Sequence, residues 1–437
     1  PSLNDSAGDA DVTVAQKAEN MCVVVLPTQR IVFVIIYCCG TNAGILVDRN
    51  GHTDPAAENQ DLKNGCTLNF FANFVSKIWV ADGDGVIGSF IDSFIFPMFQ
   101  AGAIYEGKYW LGTSIARPVI TKGMIDVARK EGATALAHGA TGKGNDQVRF
   151  ELSYYALNPD IKVLAPWKME SFLTRFQGRT DMLNYADQYG IPVKASRSKP
   201  YSEDDNLLHI SHEAGILEDP NAPCAEDVYS RTASIKDAPD EPDILTITFD
   251  KGIPVQVTNG GQKVSGALAI FNYLNELGTK HGIGRLDMVE NRFVGIKSRG
   301  VYETPGGEIL YKAHRDLEGL TMDREVMKIR DRLSLDAAHL IYNGFWFSPE
   351  FNLIMHTMDK AQETTNGDVQ IQLLKGMAYP VARKSPNALY DPVQSSMDEE
   401  GGYDQKDADG FIKINAVRLK NNTRVAGTTK TAKKKAA

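Results

Sequence analysis

The sequence predicts an α/β protein with three parts: a first domain built on a parallel sheet, a mixed α+β second domain, and a C-terminal arm. Three observations carry this. Between residues 116 and 190 short apolar strand candidates alternate with helical stretches, the pattern of βα units on a parallel sheet. From about Ile191 that alternation gives way to hairpins. Beyond residue 385 the chain turns polar and then basic, ending Lys433-Lys434-Lys435-Ala436-Ala437. The resulting boundaries are 1–190, 191–385 and 386–437, with residues 1–76 atypical of the first domain.

Taken in order, residues 1–20 read as disordered. Val23–Leu26 and Ile31–Tyr37 are β-branched runs split by Pro27, as expected of buried strands. Lys77–Ala81 is a strand candidate and Ile87–Phe99 a helix ending near Ala101-Gly102. Ala116–Glu131 reads as a helix stopped by Gly132, Ala133–Ala137 as a short strand, and Asp146–Ala156 as the next helix. Ile161–Ala165 is a strand ended by Pro166; Met169–Phe176 and Thr180–Tyr189 are helices, the second closed by Gly190. In the second domain Ile244–Phe249 and Pro254–Thr258 form a hairpin around Asp250-Lys251-Gly252-Ile253. Leu268–Leu277 is an amphipathic helix, and Arg324–Phe345 a longer helical stretch with a break near Leu333. Val369–Leu374 and Gly376–Ala382 read as a late hairpin. The arm carries an apolar segment, Phe411–Leu419, and a solvated, disordered basic tail.

With 437 residues, 43% of them hydrophobic, the chain can bury a sizeable core. A net charge of −8 argues against nucleic acid as the main partner. Five cysteines, four of them within the first 66 residues, suit a reducing, cytoplasmic setting rather than a disulfide framework. Residues 1–20 lack the basic-then-apolar pattern of a signal peptide. Ile31–Val47 is uncharged but shorter than the about 20 residues a membrane span needs, and it is interrupted by Gly40, Thr41, Asn42 and Gly44.

The densest chemistry lies in His138-Gly139-Ala140-Thr141-Gly142-Lys143-Gly144-Asn145-Asp146-Gln147-Val148-Arg149-Phe150-Glu151. Three glycines keep side chains off the loop, so main-chain N–H groups can approach a ligand. Asn145 is placed to cap the following helix, and Arg149, four residues on, shares its face. This gathers donors and a carboxylate suited to a small zwitterion or a phosphate. A phosphate loop of the Gly-x-x-x-x-Gly-Lys-Ser/Thr type is excluded by Ala137 and Gly144. Gly83-Asp84-Gly85-Val86-Ile87-Gly88 matches the dinucleotide fingerprint formally, but no second strand ending in an acid follows it, so a plain strand-to-helix turn is favoured. His209-Ile210-Ser211-His212-Glu213 has two histidines without a complementary third ligand, so no metal is expected there.

The loop resembles the Gly-x-Thr-x-Lys-Gly-Asn-Asp-x-x-Arg-Phe signature of argininosuccinate synthases. The likeness extends to Tyr109-Trp110-Leu111-Gly112-Thr113-Ser114-Ile115-Ala116-Arg117-Pro118, to Val289-Glu290-Asn291-Arg292-Phe293, and to Lys297-Ser298-Arg299-Gly300-Val301-Tyr302-Glu303-Thr304-Pro305, covering about Phe90 to Lys420. It implies an ATP-pyrophosphatase-like (adenine nucleotide alpha hydrolase-like) nucleotide-binding domain followed by a synthetase domain. The implied reaction joins citrulline to aspartate with release of AMP and pyrophosphate. The ureido oxygen of citrulline attacks the α-phosphate of ATP, which arrives with Mg2+, and the aspartate amine then displaces AMP. Such chemistry depends on alignment and charge neutralisation, so no residue is assigned as acid or base, and no tightly bound cofactor is expected.

By the same resemblance, citrulline would be held by Tyr109, Ser114, Asn145, Arg149, Ser202, Ser211, Glu290 and Tyr302. Aspartate would be held by Thr141, Asn145 and Asp146. The nucleotide would run along Ala137, His138, Gly139, Ala140, Thr141, Gly142, Lys143, Gly144 and Asn145. Arg149 suits a bidentate grip on a carboxylate, and Glu290 an ammonium. A homotetramer, its C-terminal arm wrapped over a neighbour, is also implied. His212 stands where the family usually carries tyrosine. The family's N-terminal Ser-Gly-Gly-x-Asp-Thr-Ser pyrophosphate loop is not written here: the sequence has no Ser-Gly-Gly, and Cys38–Gly44 occupies roughly that place. Residues 1–76 are on this reading a divergent or misassembled start. The alternatives are a catalytically impaired relative that binds amino acids or completes an oligomer and, more distantly, an NAD-binding protein using Gly83–Gly88.

Overall fold

The structure, a computed structural model, describes residues 21–26, 31–36, 90–142, 144–189, 202–396 and 404–435. The expectations for residues 1–20, Lys77–Ala81, Gly83–Gly88, Cys38–Gly44, Lys143 and Gly190 therefore lie outside the described residues. The chain divides into a body through Asn387 and a C-terminal unit from Ala388.

The body begins with strands β1 (Met21–Leu26) and β2 (Ile31–Ile36). A turn of π-helix, Ile91–Ile95, runs into helix α1 (Phe96–Gln100), whose Pro97 lies in its first turn. Helix α2 (Gly112–Glu131) starts four residues before the expected Ala116. Pro118 sits inside α2, where it leaves the Ser114 carbonyl without its usual N–H partner. Strand β3 (Ala135–Ala137), helix α3 (Asp146–Leu157), strand β4 (Lys162–Leu164) and helices α4 (Glu170–Arg175) and α5 (Arg179–Tyr189) follow the expected alternation. The sheet order is β1-β2-β3-β4, with β2–β3 and β3–β4 parallel and β1–β2 antiparallel. The nucleotide-binding layer is thus parallel with one antiparallel edge strand. Its β3 strand ends directly before the glycine-rich loop, at the carboxyl edge where such sheets bind ligands.

Four strands that the sequence reading did not find build a second sheet: β5 (Ser202–Asp205), β6 (Ile210–Glu213) and, farther along, β10 (Arg285–Asn291) and β11 (Lys297–Glu303). Between them come β7 (Asp243–Asp250), β8 (Ile253–Asn259), β9 (Gln262–Ser265) and helix α6 (Ala267–Lys280). The hairpin and the amphipathic helix fall where the sequence put them. Strands β10 (Arg285–Asn291) and β11 (Lys297–Glu303) lead into α7 (Pro305–Thr321), α8 (Arg324–Asn343) and α9 (Pro349–Gln362). Helix α8 runs unbroken through Leu333, against the expected interruption; Asp323 caps it by accepting from the Glu325 and Val326 N–H groups. The late hairpin is β12 (Gly367–Leu374) and β13 (Met377–Lys384). The antiparallel sheets are ordered β10-β11-β6-β5 and β13-β12-β7-β8-β9. One large apolar core, including Phe94, Leu245, Phe271, Leu310 and Tyr342, joins these helices to the five-stranded sheet.

The C-terminal unit holds α10 (Pro392–Ser395) and α11 (Asp407–Lys435). Its basic stretch is helical rather than disordered as far as Lys435. Lysine, alanine and arginine are all good helix formers, so local propensity favours this outcome.

Candidate functional site

A cleft in the body is lined by Tyr109, Thr113 and Arg117 at the start of α2, by Thr141, Gly144, Asn145, Asp146 and Arg149 around the start of α3, and by the β5–β6–β11–β10 sheet. Opposite residues in an antiparallel ladder point to the same face, and every second residue along a strand shares it. Ser211 pairs with both Tyr302 and Asp204, Ser202 pairs with Glu213, and Glu290 pairs with Ser298. Ser202, Asp204, Ser211, Glu213, Tyr302 and Glu290 therefore all rise from one face, which forms the floor of the cleft.

At the centre of the sheet, on β6 and β11, the opposite face is buried and anchors the floor. Glu303 and His212 are both fully buried and hydrogen-bonded, Nε2 to Oε1, at 2.9 Å. The Glu303 carboxylate also accepts from the N–H groups of Ser230, Arg231 and Thr232 and from the Thr232 hydroxyl. Burial alone would raise its pKa, but these donors, His212 and Thr232 foremost, hold it down to about 2.

Arg149 is buried and held from several sides. Its Nε donates to the Tyr342 carbonyl at 2.9 Å, its Nη1 to Asp146 Oδ1 at 3.0 Å, and its guanidinium lies 4.9 Å from the Tyr342 ring centre. That carbonyl belongs to the last turn of α8, the negative end of the helix dipole, where a cation is favoured. With Nε and Nη1 engaged, Nη2 is the part of the fork turned to other partners, so the bidentate grip expected from the sequence needs Nη1 to be shared. The α8 terminus approaches so closely that a Cβ on Gly344, whose φ is +91°, would lie 2.7 Å from Arg149 Cα. Gly344→Ala is expected to cost about 1–3 kcal/mol of stability through backbone strain and contact, and to weaken binding of any ligand held by Arg149. A thermal melt and a binding isotherm of the variant check both effects.

Asn145 does not cap α3 as expected. Its backbone is already helical and its Oδ1 accepts from the Phe293 N–H at 3.0 Å, which pins the loop after β10 to the cleft and leaves the side-chain NH2 as a donor. Loop geometry is held instead by Gln147, expected from the sequence only to suit the first turn of the helix: its Nε2 donates to the Gly142 carbonyl at 2.6 Å. A Cβ at Gly142 or Gly144 would make only ordinary contacts, at 3.6 and 3.5 Å. Glycine there supplies access rather than a special backbone conformation. Ala137, His138 and Ala140 are buried, so they can meet a ligand mainly through their backbone, whereas Gly142 is exposed. His138 Nδ1 accepts from the Ala140 N–H at 3.3 Å, which leaves Nε2 to donate to Glu151 at 3.0 Å.

Two tyrosines line the cleft, with a histidine packed behind them. Tyr109 and Tyr302 are buried with ring centres 4.5 Å apart, and His209 stacks on Tyr302. Burial pushes the Tyr109 phenol up to about 12 despite nearby Arg149, and it keeps His209 well below its ordinary pKa, assisted by Arg231 and Arg117. Tyr109 is thus a neutral phenol and His209 a neutral imidazole, bonded to Thr113 Oγ1 at 2.9 Å. Ser114 is wholly buried behind Tyr109, bearing on its phenol rather than lining the cleft. Glu290 is 6% exposed, and burial raises its pKa against the pull of Arg149. An arriving ammonium would favour its ionised form.

Every described residue assigned to citrulline or aspartate from the sequence lines this cleft, except Ser114 just behind it. The structure adds Thr113, Arg117, Asp204, Glu213 and Arg292. Arg117 Nη2 reaches Asp146 Oδ2 at 2.7 Å and Asp204 Oδ2 at 2.5 Å, and Arg292 Nη2 reaches Glu213 at 2.6 Å. Arg117 and Arg292 stand inside stretches already singled out by resemblance; Glu213 stood in the sequence only in the His209–Glu213 stretch weighed for a metal, and Asp204 carried no signal. His209 and His212 are paired with Thr113 and Glu303, and no group of three metal-ligating side chains occurs among the described residues.

A parallel nucleotide-binding layer whose glycine-rich loop meets a polar, zwitterion-sized cleft defines a nucleotide-dependent enzyme of amino-acid chemistry. Residues 76–192 match the N-terminal HUP domain of argininosuccinate synthase, and residues 201–422 match its C-terminal domain. The chain is 58% identical to the argininosuccinate synthase of Thermotoga maritima over 347 residues, 79% of this chain and 84% of that one. It is 51% identical to the argininosuccinate synthase of Homo sapiens over 351 residues, 80% and 84% of the two. The chain belongs to the argininosuccinate synthase family: it is a citrulline–aspartate ligase of arginine biosynthesis, and ATP use follows from the family.

Proposed function

We propose that the cleft binds citrulline and aspartate side by side, with ATP along the loop from Ala137 to Asn145. Citrulline lies on the sheet face: its carboxylate meets Arg149 and the Asn145 amide, its ammonium meets Glu290, and Tyr109, Ser202, Ser211 and Tyr302 surround its stem, with Ser114 supporting Tyr109. Aspartate lies against Thr141, Asn145 and Asp146, the Asp146 carboxylate facing its ammonium. Magnesium arrives with ATP as part of the substrate. The ureido oxygen attacks the α-phosphate, and the aspartate amine displaces AMP from the adenylate. The protein's contribution is alignment within a water-poor cleft of fixed charges rather than acid–base catalysis.

The single observation that supports this best is the shared face of Ser202, Ser211, Tyr302 and Glu290 set opposite Asn145, Asp146 and Arg149. Residues more than 150 positions apart meet there in the polarity an amino acid requires. The proposal includes function as divided at 1–190, 191–385 and 386–437, a cytoplasmic setting, and a homotetramer. Exposed Phe411, Ile412, Ile414 and Val417 on α11 give the arm an apolar surface suited to a neighbouring copy. The test is AMP formation from ATP by the purified chain, with each amino acid omitted in turn. Release that needs both citrulline and aspartate is expected. No AMP above background, with either amino acid still bound, would leave an impaired amino-acid-binding relative as the better reading.

A further inference from the structure

Tyr342, in the last turn of α8, is fully buried and does not line the cleft, yet it bears on both ends of the citrulline grip. Its carbonyl accepts from Arg149 Nε at 2.9 Å, and its ring centre lies 4.9 Å from the Arg149 guanidinium. The same ring stacks on Tyr105, with centres 3.6 Å apart and planes 4° from parallel. The Tyr105 hydroxyl in turn donates at 2.7 Å to the carbonyl of Asn291, the residue after Glu290. The Tyr342 hydroxyl is close enough to the Glu290 carboxylate for each to affect the other's ionisation. Tyr342 Oη and Glu290 Oε2 are both buried, and neither completes a hydrogen bond among the described residues. We propose that Tyr342 is a positioning residue of the citrulline subsite: its hydroxyl is a donor kept for the Glu290 carboxylate, and closes on it when the substrate's ammonium arrives. The inference rests on the reading that Glu290 holds that ammonium.

A buried polar atom without a partner destabilises the fold, so two such atoms close together are a strain that a ligand can relieve. Burial favours the neutral form of Glu290; Arg149 on α3, the Tyr342 hydroxyl, Arg292 beyond β10 and the Tyr302 hydroxyl on β11 act the other way. Arg292 is itself bonded to Glu213, and Tyr105 and Tyr109, ahead of α2, face Glu290 as phenols kept neutral by burial. An ammonium settles this balance in favour of the carboxylate, and an ionised acceptor makes the stronger hydrogen bond to a phenol. Burial and the nearby Glu290 keep the Tyr342 phenol protonated, so it remains a donor throughout the neutral range. Because its carbonyl and ring also fix Arg149, one residue would set the carboxylate and ammonium ends of a single amino acid at one spacing.

The experiment measures initial rates across pH, with citrulline and aspartate varied separately, for the wild-type chain, Tyr342→Phe, Glu290→Gln and the double variant, and a thermal melt of each. Phenylalanine keeps the ring and the carbonyl, hence the Arg149 contacts, and removes only the hydroxyl. Tyr342→Phe is expected to raise KM for citrulline about tenfold, with kcat and KM for aspartate within about twofold of wild type. Its melting temperature should not fall, since a buried hydroxyl without a partner stabilises nothing in the free protein. The acid limb of kcat/KM for citrulline should move to higher pH, because the donor that favours ionised Glu290 is gone. In the Glu290→Gln background the same change should have no further effect. An unchanged KM for citrulline or an unmoved acid limb in Tyr342→Phe, where Glu290→Gln raises that KM, overturns the inference alone. A lowered melting temperature with equal rises in both KM values, or a full additional loss in the double variant, overturns it as well, because these mark Tyr342 as packing or as independent of Glu290. If Glu290→Gln leaves KM for citrulline unchanged, the assignment of the ammonium subsite fails, and the inference with it.

Discussion

Lysine in place of Arg149 is expected to raise KM for citrulline about a hundredfold, about 2.8 kcal/mol at 1.4 kcal/mol per tenfold. The two changes look alike in charge, yet the site uses Arg149 as a planar fork. Nε is spent on the Tyr342 carbonyl and Nη1 on Asp146, so a substrate carboxylate meets a guanidinium whose plane is already set by those two bonds, over the Tyr342 ring. A lysine ammonium cannot hold the α8 carbonyl, Asp146 and a substrate carboxylate in those directions at once. One charge-assisted hydrogen bond is worth about 1.5–3 kcal/mol, so losing the substrate bond alone approaches the stated effect. Because Arg149 also touches Asp146, KM for aspartate should rise, though less. Steady-state kinetics decide the matter; a rise for citrulline under about threefold would mean that its carboxylate is held elsewhere.

The loop carrying Arg149 was legible because its chemistry is local. Glycines, an amide, a carboxylate and a guanidinium within 11 residues of Gly139 declare a ligand loop at the end of a strand. The floor facing it was not legible from periodicity. Ser202-Glu203-Asp204-Asp205 contains no apolar residue, and the central strand Lys297-Ser298-Arg299-Gly300-Val301-Tyr302-Glu303 opens with two cations in its first three positions. These strands spend one face on a ligand cleft, and even the buried face carries His212 and Glu303, so the alternation that marks an ordinary strand is erased. Resemblance found Ser202, Ser211 and Tyr302; strand patterning could not. The helix Pro305–Thr321 escaped notice for a related reason. Gly306 and Gly307 lower local propensity at its start, yet a Cβ at Gly306 would lie 2.9 Å from the Asn275 backbone nitrogen. Packing of α7 against α6, not propensity, sets that sequence.

The polar underside of the floor supports the other large effect. Glu303→Gln is expected to destabilise the body by about 2–4 kcal/mol at pH 7, within the range for breaking a buried ionic network. The carboxylate is fully buried and receives His212, three backbone N–H groups and the Thr232 hydroxyl; a glutamine amide offers one acceptor oxygen and turns an NH2 toward donors. The pH dependence separates charge from shape. Glu303 is held at about 2 in the folded chain, below the value of about 4.5 expected when it is unfolded. A depressed folded pKa gives stability that is fully present above the unfolded value and is lost as pH falls from about 4.5 toward 2. Wild type should therefore lose more stability across that window than Glu303→Gln, and the two melting curves should converge as the acid limb is descended. Parallel curves, with a gap that does not shrink, would show that the ionised form of Glu303 is not what secures the strands bearing Ser211 and Tyr302. Convergence would tie the shape of the citrulline-facing surface to one buried charge on its reverse side, since β6 and β11 are adjacent in the sheet and His212 and Glu303 immediately follow Ser211 and Tyr302 in sequence.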